Sequence, residues 1–335
     1  MLDVIKNRYI YVGTSFLVVL FALFTIIFKD SNLGIDMTGG TQSEFSYTGN
    51  INLESLQTNL GNLKDDFNKS NNNIINAISI YSVSGEEKIV VETGFGVIDD
   101  EKTLENNKVT FNGLILETLT KNNSSFSLSK YINIGKSFGD YIKKTAWLTL
   151  GITLIAISLY IAFTFFGVAI GIPSSSFAIV ALITLFHDVI VASGFYIFTG
   201  IFFPEFKVDT FFITALLTIL GYSINDTIVV FDRIRDNIKH YVKSKKLDEL
   251  INMSINETLA RSLFTSLTLF FVLLTIFFFG PETLKGFMLT LIYGVAFGTY
   301  SSIFVAAPLL YEFNKSKTLK VYEKKIIKDE DKIIV

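Results

Sequence analysis

The sequence predicts an α-helical membrane protein: six transmembrane helices, with one exported α+β domain between the first and the second. Three observations carry this reading. Half of the residues are hydrophobic, with 33 Phe and a mean hydropathy of +0.47, more apolar side chain than a soluble domain needs. Six apolar runs reach the roughly 17–25 residues that cross a bilayer. The stretch between the first two runs, residues 29–140, is polar and patterned like a folded domain.

The runs are residues 9–28, 146–166, 176–198, 210–231, 259–279 and 286–311. The first is too long for the apolar core of a secretory signal, and "TIIFKDSNLG" lacks an A-x-A-like cleavage site. It reads as a retained helix. Orientation follows Lys and Arg near the span ends. The loop 232–256 holds Arg233, Arg235, Lys239, Lys243, Lys245 and Lys246, and the tail after Tyr311 holds seven Lys. The loops around Lys207 and Lys285 hold one each. Both termini and the 232–256 loop are therefore expected in the cytoplasm. Lys143 and Lys144 run against this trend, and "GVAIGIPSSS" is neutral. The chain divides into a cytoplasmic N-terminus with the first helix (1–28), the exported domain (29–140), helices two to six (141–312) and a basic cytoplasmic tail (313–335).

Within the exported segment, "TQSEFSYTG" alternates like a strand. "NLESLQTNLGNLKDDFNK" has leucines at helical spacing. "NAISIYSVSGEEKIVVETG" reads as two strands around a Ser-Gly turn. "DDEKTLENNKVTFNGLILETLTKN" opens on acidic residues, as a helix start does, and "SSFSLSKYINI" is a last strand. The order β-α-β-β-α-β is the ferredoxin-like arrangement, which hosts many functions and names none.

Composition narrows the chemistry. There is no Cys, so disulfides, thiol catalysis and Cys-based zinc sites are excluded. Only His187 and His240 occur, too few for a His-rich metal centre. No Gly-rich phosphate loop or Ser/His/Asp set stands out, which weighs against an ATPase and a hydrolase. No enzyme activity, cofactor or metal is expected, nor a nucleic-acid partner, and the net charge of −2 says little about partners.

The informative residues lie inside the apolar runs. In the fourth, Thr214, Thr218, Gly221, Tyr222, Asn225, Asp226 and Arg233 fall in one arc at 100° per residue. Leu216, Leu217, Leu220, Ile224, Ile228 and Phe231 fall opposite. Lipid cannot satisfy the polar arc, so it is expected to face protein or a wet cavity. The fifth run follows Ser254 and Glu257, whose spacing suits a capping box and a helix start. Thr258, Arg261, Thr265, Thr268 and Thr275 then share a face. Arg261 lies ~10 Å beyond that start, and Asp226 ~9 Å before Asp232, so the two are expected at similar depth.

Three readings compete here. Arg261 snorkels to the headgroups; Asp226 and Asn225 form a static interhelical tether; or Asp226 is an ionisable site. Burial favours a carboxylic acid over a carboxylate, and an approaching guanidinium reverses that. A helix movement bringing Arg261 to Asp226 would then expel a proton. His187 and Asp188, in the third run, form a second-rank site. They are a relay or two separate interhelical hydrogen bonds, and as neighbours about 100° apart they are expected not to share one spot. Gly294, Gly298 and Ser302 follow the small-x-x-x-small spacing of a packing face. The basic stretch "DRIRDNIKHYVKSKK" lies along anionic lipid or is a solvated, topology-fixing loop.

Four stretches carry a resemblance over almost the whole chain. They are "GIDMTGGT" (34–41), with Met37 where Phe is usual, and "FHDV" (186–189). The others are "GYSINDTIVVFDRIRDN" (221–237) and "ETLARSLFTSLT" (257–268), with Ser262 where Thr is usual. They resemble the SecD/SecF family of protein-export membrane proteins, on its SecF side, within the resistance–nodulation–division superfamily. The resemblance implies a bacterial inner-membrane subunit that pairs with SecD, assists the Sec translocon channel, and uses the proton motive force to help an unfolded preprotein across. The family's membrane carboxylate falls on Asp226 and its membrane arginine on Arg261, while a SecD aspartate completes the site. Asp36, Gly39 and Gly40 belong to the turn motif, the glycines structural and Asp36 unassigned. The rivals are a small-solute or lipid transporter of the same superfamily and a purely structural translocon subunit. Such transporters resemble this chain doubled, and no internal repeat is visible here.

Overall fold

Twenty-one mostly apolar residues make the first helix, α1 (Arg8–Phe28). The structure, a computed structural model, describes residues 2–29, 32–71, 73–83, 86–96, 101–121, 125–165 and 172–316. Six helices in it are long and apolar enough to cross a membrane. The Ser84-Gly85 turn, the first half of "GVAIGIPSSS" and the basic tail from residue 317 lie outside the described residues.

After α1 comes a single helical turn, α2 (Ile35–Thr38), and then the domain. Its elements are β1 (Gly40–Thr48), α3 (Leu53–Ser70), β2 (Ile75–Ser82), β3 (Lys88–Phe95), α4 (Glu101–Thr120) and β4 (Ser125–Ile134). The four strands form one sheet in the order β2-β3-β1-β4, every pair antiparallel. Alternation decides its buried face: Phe45, Ile89, Val91 and Phe126 point towards Leu56, Leu60, Phe111, Ile115 and Leu119 of α3 and α4. Asn52 caps α3 by accepting from the Ser55 amide at 3.1 Å.

The remaining helices are α5 (Lys136–Thr164), α6 (Ser174–Phe202), α7 (Thr210–Tyr241), α8 (Leu247–Phe279), α9 (Lys285–Ser301) and α10 (Ala307–Asn314). α5 starts ten residues ahead of its apolar run, because its first turns pack against α2 rather than lipid. α7 continues ten residues beyond its apolar run. α8 begins at Leu247 with Asp248 and Glu249 in its first turn. The capping-box reading at Ser254 and Glu257 therefore does not hold. Both lie inside α8 and bond across to α7: Asn237 donates to Ser254 at 2.9 Å, and Arg233 pairs with Glu257 at 2.7 Å.

α6 is the hub, buried over most of its length between α1, α5, α7 and α9. Small residues allow this. A Cβ on Gly194 would stand 2.4 Å from the Cα of Ala22 on α1, and one on Gly294 would stand 2.1 Å from Ile219 on α7. Between α9 and α10 the chain makes a π-turn, Ser302–Ala306. Pro308 follows, and its ring excludes the normal bond to residue 304, so the wide turn absorbs the irregularity.

The two ends of the bundle are distinct. At one end the Leu2 amide donates to Asn256 at 2.8 Å, Asn252 donates to Asp3 at 2.7 Å, and Arg8 pairs with Glu312 at 2.5 Å. The N-terminus, the start of α8 and the end of the sixth span thus share one side. The α+β domain lies at the other end, where Val208 bonds to the carbonyl of Asn32 and accepts from Gly34.

Candidate functional site

α7 is a sorted helix, and within this chain it is the apolar side that packs. Leu216, Leu220, Ile224 and Phe231 are buried in the bundle, while Thr214, Thr218, Gly221 and Asn225 are exposed. The reason is the tight contact with α6 and α9, which takes the bulky apolar side for its core. Asp226 departs from its arc: it is 3% exposed. Its Oδ2 accepts from Ser266 of α8 at 3.4 Å. Ser266 also receives Tyr222 at 2.9 Å and Thr299 of α9 at 2.6 Å.

α8 is divided as well. Ser254, Thr258, Ser262 and Ser266 recur every four residues and are buried. Arg261, Thr265 and Thr268 are exposed on the adjoining face. Thr265 and Thr268 return their hydroxyls to backbone carbonyls of α8. Among the described residues no ion pair within 4 Å joins Arg261 to Asp226. The structure brings Asp226 together with Ser266, Tyr222 and Thr299, and leaves Arg261, Asn225, Thr265 and Thr268 on an uncovered surface beside it.

His187 and Asp188 do meet, against the expectation from their spacing. His187 Nδ1 lies 2.8 Å from Asp188 Oδ1, because α6 is enclosed and both side chains turn inward. Asp188 is 0% exposed. Its other oxygen accepts from Ser301 of α9 at 2.9 Å and from Ser223 of α7. Sequence reasoning missed Ser223, Ser266, Thr299 and Ser301. The available signals were the four-residue repeat of Ser and Thr in α8 and the place of Ser223 one turn before Asp226.

The turn motif sits outside the bundle. Gly39 and Gly40 have φ of 73° and 147°, conformations that favour glycine. A Cβ on Gly40 would stand 2.4 Å from the Thr93 carbonyl oxygen. Asp36 opens α2 and is partly exposed. Near it, Asp209 caps α7, accepting from the Phe212 amide at 2.8 Å.

Six apolar helices around buried carboxylates, with one α+β domain at the end of the bundle, define a multi-pass membrane protein with an ionisable interior. Residues 115–316 match the family described as protein export membrane protein SecD/SecF, C-terminal. The chain is 34% identical over 336 residues to the protein translocase subunit SecF of Sebaldella termitidis, covering 100% of this chain and 99% of that one. It is 33% identical to the subunit of that name from Helicobacter pylori strain J99, covering 95% and 90%. Its fold matches the crystal structure of SecDF, a translocon-associated membrane protein from Thermus thermophilus, with a TM-score of 0.73 and 28% identity. That match covers 94% of this chain and 39% of the longer one. The chain belongs to the SecD/SecF family of protein-export membrane proteins, on its SecF side.

Proposed function

We propose that this chain is the SecF half of a SecD–SecF pair in the bacterial inner membrane, and that protonation of Asp226 drives its assistance to preprotein export through the Sec translocon. One observation carries the reading. Asp226 is buried beside a surface of Thr214, Thr218, Gly221, Asn225, Arg261, Thr265 and Thr268 that none of the described elements covers. A guanidinium and a row of polar groups at that depth are costly against lipid, so a second membrane subunit is the natural cover. A SecD partner would bring its own membrane groups to Arg261 and Asp226 and complete the site.

The two-ended bundle supports the orientation. The basic segment after Asp232 and the N-terminus share one side, which the Lys and Arg bias assigns to the cytoplasm. The α+β domain at the other end is then exported. Its β-α-β-β-α-β order and antiparallel sheet β2-β3-β1-β4 suit the ferredoxin-like arrangement.

The test is export into inverted membrane vesicles containing the chain with its SecD partner. Asp226→Asn should remove the stimulation by a proton motive force while leaving co-purification with SecD intact. Stimulated export at the wild-type rate in that variant would overturn the reading.

A further inference from the structure

The His187–Asp188 pair is more than a structural bond. His187 is 7% exposed and Asp188 0%. Nδ1 of His187 faces Asp188, and its buried Nε2 has no hydrogen-bond partner among the described residues. A carboxylate that holds Nδ1–H fixes the tautomer with a free lone pair on Nε2 and stabilises the imidazolium that forms when that nitrogen is protonated. Ser223 and Ser301 hold the second carboxylate oxygen, so Asp188 does not turn away from the ring. The arrangement is an oriented, buried imidazole with a carboxyl group at Nδ1 and an open Nε2.

We propose that His187 Nε2 is a second proton-binding site of the membrane core, with Asp188 as its positioning residue. This rests on the proton-coupled reading of Asp226 and adds a separate atom to it. The step is a simple uptake: one proton binds the Nε2 lone pair, and the neutral imidazole beside a carboxylate becomes an imidazolium–carboxylate pair. Loss of the same proton restores the starting state.

The two proton sites share their scaffolding. Ser223, which bonds Asp188, lies three residues before Asp226 on α7, about 4.5 Å along the axis. Ser301, which also bonds Asp188, lies two residues after Thr299, which reaches Asp226 through Ser266. The π-turn Ser302–Ala306 begins at the next residue, and such turns are frequent at functional sites. The two sites therefore draw on donors carried close together on α7 and α9.

The remaining charges around α6 lie elsewhere. α1 and α10 supply Arg8 and Glu312, paired with each other, and α9 supplies Lys285, paired with Glu282. α5 carries Lys136, Asp140, Lys143 and Lys144 in its first turns. α7 carries Asp226 and, beyond it, Asp232, Arg233, Arg235, Asp236, Lys239 and His240, with Arg233 paired to Glu257 and Arg235 to Asp232. None bonds to the dyad.

The chain has two histidines, and His240 is exposed at the end of α7, so a ¹⁵N-histidine spectrum has an internal reference. With the SecD–chain complex in lipid vesicles, the His187 signal should change from neutral imidazole to imidazolium on acidification. Asp188→Asn should hold it neutral, with the His240 signal unmoved. His187→Gln should lower proton-motive-force-stimulated export by about tenfold or more while SecD co-purifies normally. A His187 signal that stays neutral throughout, or that titrates identically in Asp188→Asn, would overturn the proposal even if Asp226→Asn abolishes stimulation. Retained stimulation in Asp226→Asn would instead sink the underlying reading, whatever His187 does.

Discussion

Lys207, on the loop ahead of α7, forms a buried ion pair with Glu92 of the central strand β3, joining the α+β domain directly to the helix that carries Asp226. The two side chains are 6% and 11% exposed. Lys207 also donates to Ser79 at 2.9 Å and lies 5.1 Å from the centre of the Tyr81 ring, while Tyr81 donates to Glu92 at 2.9 Å. This lysine ties the domain to the start of α7 beside the backbone bonds of Gly34 and Val208.

Breaking one half of such a pair leaves the other charge buried, at a cost of about 3–5 kcal/mol. Lys207→Met should therefore loosen the domain from the bundle without unfolding either. The reporter is hydrogen exchange at Gly34 and Val208, whose amides bond across that junction to Val208 and Asn32. Both should lose protection in Lys207→Met and regain part of it in the double variant Lys207→Met/Glu92→Met. Unchanged exchange in the single variant would show that the pair does not hold the junction.

Asp209 makes the same junction sensitive to pH. Burial lifts its carboxyl from the ordinary value of 3.8 to about 6, and the nearby charges of Asp36 and Glu92 add to this against the bond from the Phe212 amide. The folded state binds the proton more tightly than the unfolded one. Stability from this group is full below about pH 4 and is lost as pH rises through about 6, a change of about 3 kcal/mol. Asp209→Asn keeps an oxygen for the cap and removes the charge, so it should be more stable than wild type at pH 7 and flatter between pH 4 and 7. Asp209→Ala loses the cap, at about 1 kcal/mol. Thermal melting of the two variants across this range is the check.

How much of this was legible in the sequence follows from what each residue needs. The six spans were legible because a long apolar run in water has few alternatives. The domain order was legible because strand alternation and helical leucines are local patterns. The burial of Asp226 was legible because lipid refuses a carboxylate. Which side of α7 faces inward was not, since a polar arc can meet this chain's own helices or a partner's, and only the packing of Ile219 against Gly294 decides. α5, α7 and α8 extend beyond their apolar runs because hydropathy marks the membrane, whereas helices continue into water on pairs such as Arg233–Glu257. Lys207 and Glu92, separated by 115 positions, carry no local signal of their meeting.

The packing of α1 on α6 depends on one missing methyl group. A Cβ at Gly194 would stand 2.4 Å from both the Cα and the Cβ of Ala22, and backbone cannot swing aside as a flexible side chain does. Gly194→Ala should cost about 1–3 kcal/mol through the forced separation, read as a lower melting temperature of the purified chain in detergent. Ala22→Gly added to it should recover part of the loss by removing one of the three clashing atoms. An unchanged melting temperature in Gly194→Ala would mean that α1 and α6 are not in contact there.

Gly221 offers the opposite test, because it separates the stability of the chain from the fit of its partner. It lies on the exposed face of α7 with Thr214, Thr218 and Asn225, and a Cβ there would meet nothing within 4 Å. Alanine in a helix is favoured over glycine by about 1 kcal/mol, so Gly221→Ala should hold or raise the melting temperature of the chain alone. If that face is covered by SecD, a bulky side chain will wedge the two subunits apart. Gly221→Leu should then melt like wild type when alone yet co-purify poorly with SecD, and Gly61→Leu, on the open surface of α3 in the domain, should leave co-purification unchanged. Normal recovery of SecD with Gly221→Leu would place the partner on another face and leave the polar groups of α7 to be covered in some other way.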